Sequence, residues 1–347
     1  MTDAILRYYQ EEMRYLHESG EQFAKSHPDE AKLLSVGGLT DRDPYVERLF
    51  EGFAFLTARI RERLDDEMPQ YTDGLLGLLW PHLLRPVPSL SVIEFRPTPG
   101  LVSSTTRIPR GSEVLSTPVG EENTVCRFVT TQDVRLQPLQ ITDAKLAWPN
   151  SVSTTLTLSL RLDRGVDFGK LSPSPLRIYL HADKSVASLL HLFLTRHVSR
   201  VRITPAGGGT PIELSGQQWV VPGGFNGDEG LLPYSPHTFH GFRLLQEYFA
   251  FRQKFWFVDL LGLDRVAAPQ GMSGLDVELL FDRSLPEATS IKAENLRLFC
   301  APVVNLFTHD AVPMRVDHRA SEYRVIADLR HANSVDVYDV ARVSAEQ

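Results

Sequence analysis

Only two cysteines, Cys126 and Cys300, occur among the 347 residues. Two cannot build a disulfide framework or a four-cysteine zinc site, and their scarcity fits a reducing compartment. Long apolar runs are missing as well. The longest uncharged ones, over 185–195 and 74–84, fall well short of the roughly 18 residues that a membrane span needs, so no direct membrane insertion is expected. No apolar h-region follows Asp3, so no signal peptide is expected and the chain reads as cytoplasmic. Basic excess is absent too: 36 Lys and Arg stand against 43 Asp and Glu, a net charge of −7. Without a basic stripe, phosphate-backbone binding has no electrostatic footing, and a nucleic-acid partner is not expected.

Catalytic patterns are equally scarce. There is no H-E-x-x-H, no G-x-S-x-G elbow and no phosphate-binding glycine loop, since Gly207-Gly208-Gly209 runs into Thr-Pro and not into Lys-Ser/Thr and a helix. Neither cysteine has a neighbouring histidine or cationic context to make it a nucleophile. His237 and His240 are the closest histidine pair, but no cysteine or carboxylate cluster adjoins them, so they read as a turn and a helix start rather than metal ligands. Asp65, Asp66 and Glu67 are adjacent acids at the expected end of a helix, where they oppose the helix dipole and hint at a cationic partner. No enzyme reaction can be written with these residues, and no metal or cofactor is called for.

What is present divides by hydrophobic period. Residues 1–86 repeat at helical spacing and hold 16 acidic and 10 basic residues, a balance of −6 that leaves −1 for the rest. A first helix is expected from Asp3 to about Ala24, with Thr2 as its N-cap. Its apolar positions Leu6, Tyr9, Met13, Leu16 and Phe23, with Gly20 in series, step by threes and fours as in helices packing at a shallow angle. A second helix is expected to open at Asp43-Pro44 and run to about Asp66, carrying Val46, Leu49, Phe53, Leu56, Ile60 and Leu64. Leu75–Leu84 reads as a third helical segment up to Trp80-Pro81. These stripes allow two readings: an internal helical hairpin, or a seam on the first helix that another chain covers.

The second region, 87–347, alternates apolar and polar residues. Strands are expected at Ser91–Arg96, Val125–Thr131, Thr155–Leu162, Leu176–His181, Val198–Thr204, Leu275–Phe281, Leu296–Cys300, Tyr323–Leu329 and Val335–Val340. Helices are expected near 184–196 and 241–251. Strands with inserted helices predict an α+β fold, a helical segment followed by a β-rich, sandwich-like region. Eight aromatics fall between Phe239 and Phe257, a cluster that suits a buried helix and strand, the lining of a ligand pocket or a partner surface.

Several blocks resemble one known family. Tyr8-Tyr9-Gln10-Glu11-Glu12-Met13-Arg14-Tyr15-Leu16, then Asp43-Pro44 through Ala58-Arg59-Ile60, then Pro81-His82-Leu83-Leu84-Arg85-Pro86, are similar to the opening of the TssF family, also called VasA or ImpG, of type VI secretion baseplate components. Leu245-Gln246-Glu247-Tyr248-Phe249-Ala250-Phe251 with Lys254-Phe255 and Asp259-Leu260-Leu261-Gly262-Leu263 looks like its central motif. Phe299-Cys300-Ala301-Pro302-Val303-Val304-Asn305-Leu306-Phe307 is a further match. One departure is Arg252-Gln253-Lys254, where the family continues with a Pro-Glu-Lys stretch. The family runs past residue 347, so the resemblance implies an N-terminal portion, by truncation or proteolysis.

The resemblance implies a non-enzymatic wedge subunit. Two TssF copies join one TssG through a helical core bundle, here residues 1–86, and wedges carry TssE and TssK around a VgrG hub at the inner face of a Gram-negative inner membrane. Bundle contacts are expected at Leu6, Tyr9, Met13, Leu16 and Phe23 and along Leu49, Phe53, Leu56 and Ile60. The alternative is a β-sandwich ligand-binding module using the 239–257 aromatics.

Overall fold

The computed structural model describes residues 3–34, 43–120, 123–234, 239–267, 271–317, 319, 323–329 and 334–344. The chain forms two compact units, residues 1–85 and 86–347. Three helices dominate the first: α1 (Asp3–Ser26), α2 (Pro28–Leu34) and α3 (Pro44–Leu79), with a last turn, α4 (Pro81–Leu84). Asp43 caps α3 by accepting from the Tyr45 N–H at 2.9 Å, and Pro44 takes the first turn, where no amide partner is lost. Thr2 lies outside the described residues.

The helix expected to stop at Asp66 runs on to Leu79, 36 residues in all. Pro69 lies inside it, although a proline in a helix interior forfeits one backbone hydrogen bond. The apolar positions 60, 64, 68, 71 and 75 hold one helical phase straight through it. Asp65 and Asp66 therefore sit mid-helix, and the expected conflict with a helix C-terminus does not arise. The stop comes at Trp80, which Pro81 holds out of the helical region (φ −141°, ψ 65°).

The second unit contains β1 (Leu90–Glu94), β2 (Thr106–Ile108), β3 (Glu113–Leu115), β4 (Arg127–Thr130), β5 (Val134–Leu136), β6 (Leu139–Ala147), β7 (Thr155–Leu162) and β8 (Leu176–Leu180). After α5 (Lys184–Arg196) come β9 (Val198–Ala206), β10 (Ile212–Ser215) and β11 (Val220–Pro222). After α6 (His240–Ala250) come β12 (Phe257–Leu260), β13 (Gly274–Phe281), β14 (Leu296–Leu298) and β15 (Cys300–Val304). These make a five-stranded sheet β10-β9-β13-β7-β6, two four-stranded sheets β11-β12-β8-β14 and β1-β15-β4-β3, and the ribbon β2-β5. Every pairing among them is antiparallel. The fold class is α+β.

The period-two pattern of β7 shows why it folds this way. Leu156, Leu158 and Leu160 are fully buried, while Thr157, Ser159 and Arg161 turn to the other face. On β13, Leu275, Val277 and Leu279 continue that layer. Ile178, Leu180, Val258 and Leu260 of the β8–β12 sheet, and Leu190 and Leu194 of α5, join them in one apolar core. The outer face of the five-stranded sheet is laced with ion pairs: Arg200 and Arg202 with Glu213, Arg202 with Glu278, and Arg161 with Asp276. These are exposed pairs that suit a solvated sheet face.

Two expectations need correction. The single strand at Leu296–Cys300 is two strands, because Phe299 takes a left-handed conformation (φ 56°). Leu296–Leu298 pairs with β8, and Cys300–Val304 pairs with β1 and β4 in another sheet. The strands expected at Tyr323–Leu329 and Val335–Val340 are absent among the described residues. Leu329 and Val340 are exposed and no edge pairs with either segment, and alternation without a pairing edge does not make a strand.

Candidate interface surfaces

In the helical unit, α1 runs antiparallel to α3 and packs on its small residues. Ala54 and Ala58 of α3 are fully buried, and Tyr8 and Gly20 are the buried residues of α1. Polar contacts fix the register. The Tyr8 hydroxyl donates to Asp65, Arg61 Nη1 donates to Glu12 at 2.7 Å, and His17 Nε2 meets Glu47 at 2.6 Å. Asp65 as acceptor holds the Tyr8 phenol above its ordinary value. Arg7 and Arg61 also stack on the Tyr8 ring, 4.9 and 5.5 Å from its centre.

The opposite face of α3 is apolar and bare. Leu49 is 70% exposed, Phe53 63%, Leu56 59% and Ile60 60%. The face also takes in Tyr45 and Leu64 within the expected helix, and the longer helix carries it on through Met68, Tyr71, Leu75 and Leu78, all exposed. Their spacing of threes and fours is legible in the sequence, and what the expected stop at Asp66 conceals is that the second helix and the segment from Leu75 are one helix. On α1, Tyr9, Met13 and Leu16 are half-buried, while Leu6 and Phe23 are exposed, Phe23 stacking on His27 at 5.0 Å. Among the described residues, an apolar face thus runs the whole length of α3, about 54 Å at 1.5 Å per residue.

In the second unit, α6 is turned inside out. Arg243 and Glu247 are its buried residues, while Phe242, Leu245, Tyr248 and Phe249 are exposed. The buried side is an ionic network. Lys254, with no exposed surface, pairs with Glu247, whose other oxygen accepts from the Leu231 N–H at 2.7 Å. Arg243 donates to the carbonyls of Gly227 and Asn226 at 2.7 and 2.8 Å. Glu229 accepts from the Gly224 and Asn226 N–H groups, both at 3.0 Å, and pairs with Arg177 at 2.6 Å. Arg177 in turn forks onto both oxygens of Asp259 at 2.7 Å. Gly224 is needed here: its φ is +90°, and a Cβ would stand 2.6 Å from the Lys254 carbonyl oxygen. The network explains the family-like residues Glu247, Lys254 and Asp259, which the sequence placed in a block without giving them a task.

Burial shifts these groups in opposite senses. It pulls the Lys254 ammonium below its ordinary value, against the Glu247 carboxylate that favours the charged form. Burial alone would raise Glu229, but Arg177 and the two amides outweigh it and hold the carboxyl below its ordinary value. On α5, burial also lowers His191, whose Nε2 has no partner. Glu229 and His191 both have depressed folded values, so the stability they contribute is present above their unfolded values and lost as pH falls. The melting temperature should begin to drop below about pH 6.5, where an unfolded histidine takes up a proton, and drop further through about pH 4.3, the glutamate range. A melting temperature that stays flat from pH 7 to 4 would contradict both assignments.

The 239–257 aromatics do not line one cavity. Phe239, Phe242 and Phe249 are exposed, whereas Phe255 and Phe257 are buried. The apolar gap between the facing sheets is lined by core residues such as Leu156, Ile178, Leu194 and Leu279, and none of those aromatics borders it. Among the described residues no group of three or more His, Cys, Asp or Glu is placed to hold a metal ion. His237 lies outside the described residues, and His240 is the first residue of α6. Cys300 is buried and its thiol is pushed up to about 12, which leaves it unreactive. No helix among the described residues is long and apolar enough to cross a membrane.

Comparison with known proteins matches these features to one family. The model of the family described as "Type VI secretion system, TssF" matches residues 1–347. The type VI secretion system component TssF1 of Pseudomonas aeruginosa is 34% identical over 361 residues, covering 99% of this chain and 58% of that protein. A chain in a cryo-electron microscopy structure of the TssK-TssF-TssG baseplate subcomplex is 36% identical and superposes with a TM-score of 0.74, over 84% of this chain and 55% of that one. This chain thus spans little more than half the length of the relatives it matches. It belongs to the TssF family of the type VI secretion system.

Proposed function

We propose that this chain is a non-enzymatic structural part of the type VI secretion baseplate wedge. It assembles with TssG, two copies to one, through its N-terminal helices, and so helps build the platform for sheath and tube assembly. The observation that carries this reading is the bare apolar face along the full length of α3. A face of this size on a single chain marks a partner surface, and helix seams at this spacing are covered by other helices. Residues 1–86 then act as the bundle region. Residues 87–347 present surfaces to TssK, TssE and the VgrG hub, the exposed side of α6 being one such surface. The wedge works in the cytoplasm at the inner face of the inner membrane.

Co-expression with TssG and the mass of the complex by light scattering test this reading. A 2:1 complex is expected. Leu56→Asp, on an exposed side chain, should abolish the complex without lowering the melting temperature. Met13→Asp or Leu16→Asp, on half-buried side chains, should abolish it and cost stability as well. An intact complex with Leu56→Asp would overturn the reading.

A further inference from the structure

β1 is an edge strand. In the sheet β1-β15-β4-β3 it pairs with β15 on one side and, among the described residues, with no strand on the other. Its hydrogen-bonding parity is fixed from both ends. The Asn305 N–H donates to the Ser89 carbonyl at 2.9 Å, and the Phe95 N–H donates to the Phe299 carbonyl at 3.0 Å. Bonded pairs recur every second residue along an antiparallel ladder, so Ser91 and Ile93 also bond to β15. The N–H and C=O groups of Leu90, Val92 and Glu94 therefore point to the open side.

Folded proteins blunt such edges with bulges, charges, proline or short length, and the other edges of this unit are blunted. β6 has a register shift between Ile141 and Asp143 and carries the Asp143–Lys145 pair. β11 ends in Pro222, β10 carries Glu213, and β2, β3, β5 and β14 are three residues long. β1 has five residues, no lysine, no proline and no register shift. On its inward face Leu90 and Val92 are only half-buried. Leu90 packs against the cluster of Leu231, Leu232 and Val304, and Val92 against that of Tyr179, Phe257 and Cys300. Glu94, next on that face, accepts from Arg96 Nη2 at 2.9 Å and from Arg297 Nη1 at 3.1 Å. Two arginines on one acid leave a positive charge at this end of the strand.

We infer that the open edge of β1 takes up an extended segment of a partner protein as an added strand, antiparallel like every other pairing in this unit. Read from its N-terminal end, the segment runs acid-x-apolar-x-apolar. Its two apolar side chains lie opposite Val92 and Leu90 and complete their burial, and its acid lies beside Arg96 and Arg297. Main-chain hydrogen bonds supply the affinity of such a strand, and its alternate side chains supply the choice of partner. A second copy does not suit the edge, since pairing β1 with β1 about Val92 sets apolar Leu90 opposite Glu94 and its arginines. The inference stands apart from the α3 seam and does not depend on it.

A fluorescein-labelled heptapeptide, Thr-Glu-Thr-Val-Thr-Val-Thr, tests this by fluorescence anisotropy against the whole chain. Saturable binding is expected. Methylating the two valine amides, which face β1 in this register, should weaken binding by about tenfold or more. Methylating the two threonine amides between Glu and the second Val, which face away, should leave it in place. Arg96→Glu, on an exposed side chain, should weaken the parent peptide and strengthen one with lysine in place of its glutamate. No saturable binding of the parent peptide, or an equal loss from the two methylation patterns, would overturn the inference. So would an affinity that falls as the protein concentration rises, a result that gives the edge to a second copy.

Discussion

Glu247→Ala is expected to destabilise the β-rich unit by about 3–5 kcal/mol, the range for removing one partner of a buried ion pair. Three losses combine at this position. Lys254 keeps its charge with no exposed surface and no counter-ion, the Leu231 N–H loses its acceptor, and α6 loses the contact that turns its polar side inward. The alternative is that Lys254 gives up its proton, which burial already favours, and the cost then falls toward the lower end. A double change, Glu247→Leu with Lys254→Met, separates pairing from packing. It should recover most of the loss, because an apolar pair of similar volume often replaces a buried ion pair at little cost. Urea unfolding followed by tryptophan fluorescence measures both, with Trp148, Trp219 and Trp256 reporting on this unit. A single mutant within 1 kcal/mol of the parent would show that the network is not what holds α6.

Phe281→Ala should cost about as much, 3–5 kcal/mol, for a different reason. Phe281 is fully buried at the end of β13, and its ring stands edge-on to Phe193 of α5, 5.5 Å away at 84°. Removing it withdraws apolar surface and leaves a cavity bounded by one sheet and one helix. A pleated sheet tied by hydrogen bonds on both sides cannot close over such a gap, so the cavity term is kept in full. Phe281→Leu should cost less than half as much, which distinguishes volume from aromatic geometry. The urea midpoint reads the difference at constant slope. An alanine variant with an unchanged midpoint would place α5 outside the cooperative core.

How much of this was legible depended on whether a segment declares its own periodicity. Thr155–Leu162 and Lys184–Arg196 have the expected ends, since each carries an uninterrupted period of its own. β6 was missed because its alternation slips at a register shift between Ile141 and Asp143. β15 was missed because Pro302 reads as a breaker. It is tolerated where it pairs with Val92, and its carbonyl accepts from the amide and hydroxyl of Thr131. The apolar stripe Leu49, Phe53, Leu56 and Ile60 is legible from spacing, but spacing cannot distinguish a stripe that is covered from one that is exposed, as these four are. The inverted burial of α6 was beyond sequence reading for a related reason. Arg243 and Glu247 look like surface residues until Lys254 and the 226–231 turn are seen to meet them.

The split at Phe299 carries a mechanical consequence. β1 is the first strand after residue 86, and it is paired along its whole length with β15, from Leu90 opposite Val304 to Glu94 opposite Cys300. β15 is continuous through one residue with β14, which belongs to a different sheet. A pull entering from residue 86 along the strand direction therefore loads five residue pairs in shear at once, and behind them a backbone anchored in two sheets. Such a joint yields at a rate set by its unfolding barrier and not by its equilibrium stability. Tension delivered briefly to this chain would thus be passed into the sheets instead of being absorbed by a strand peeling away.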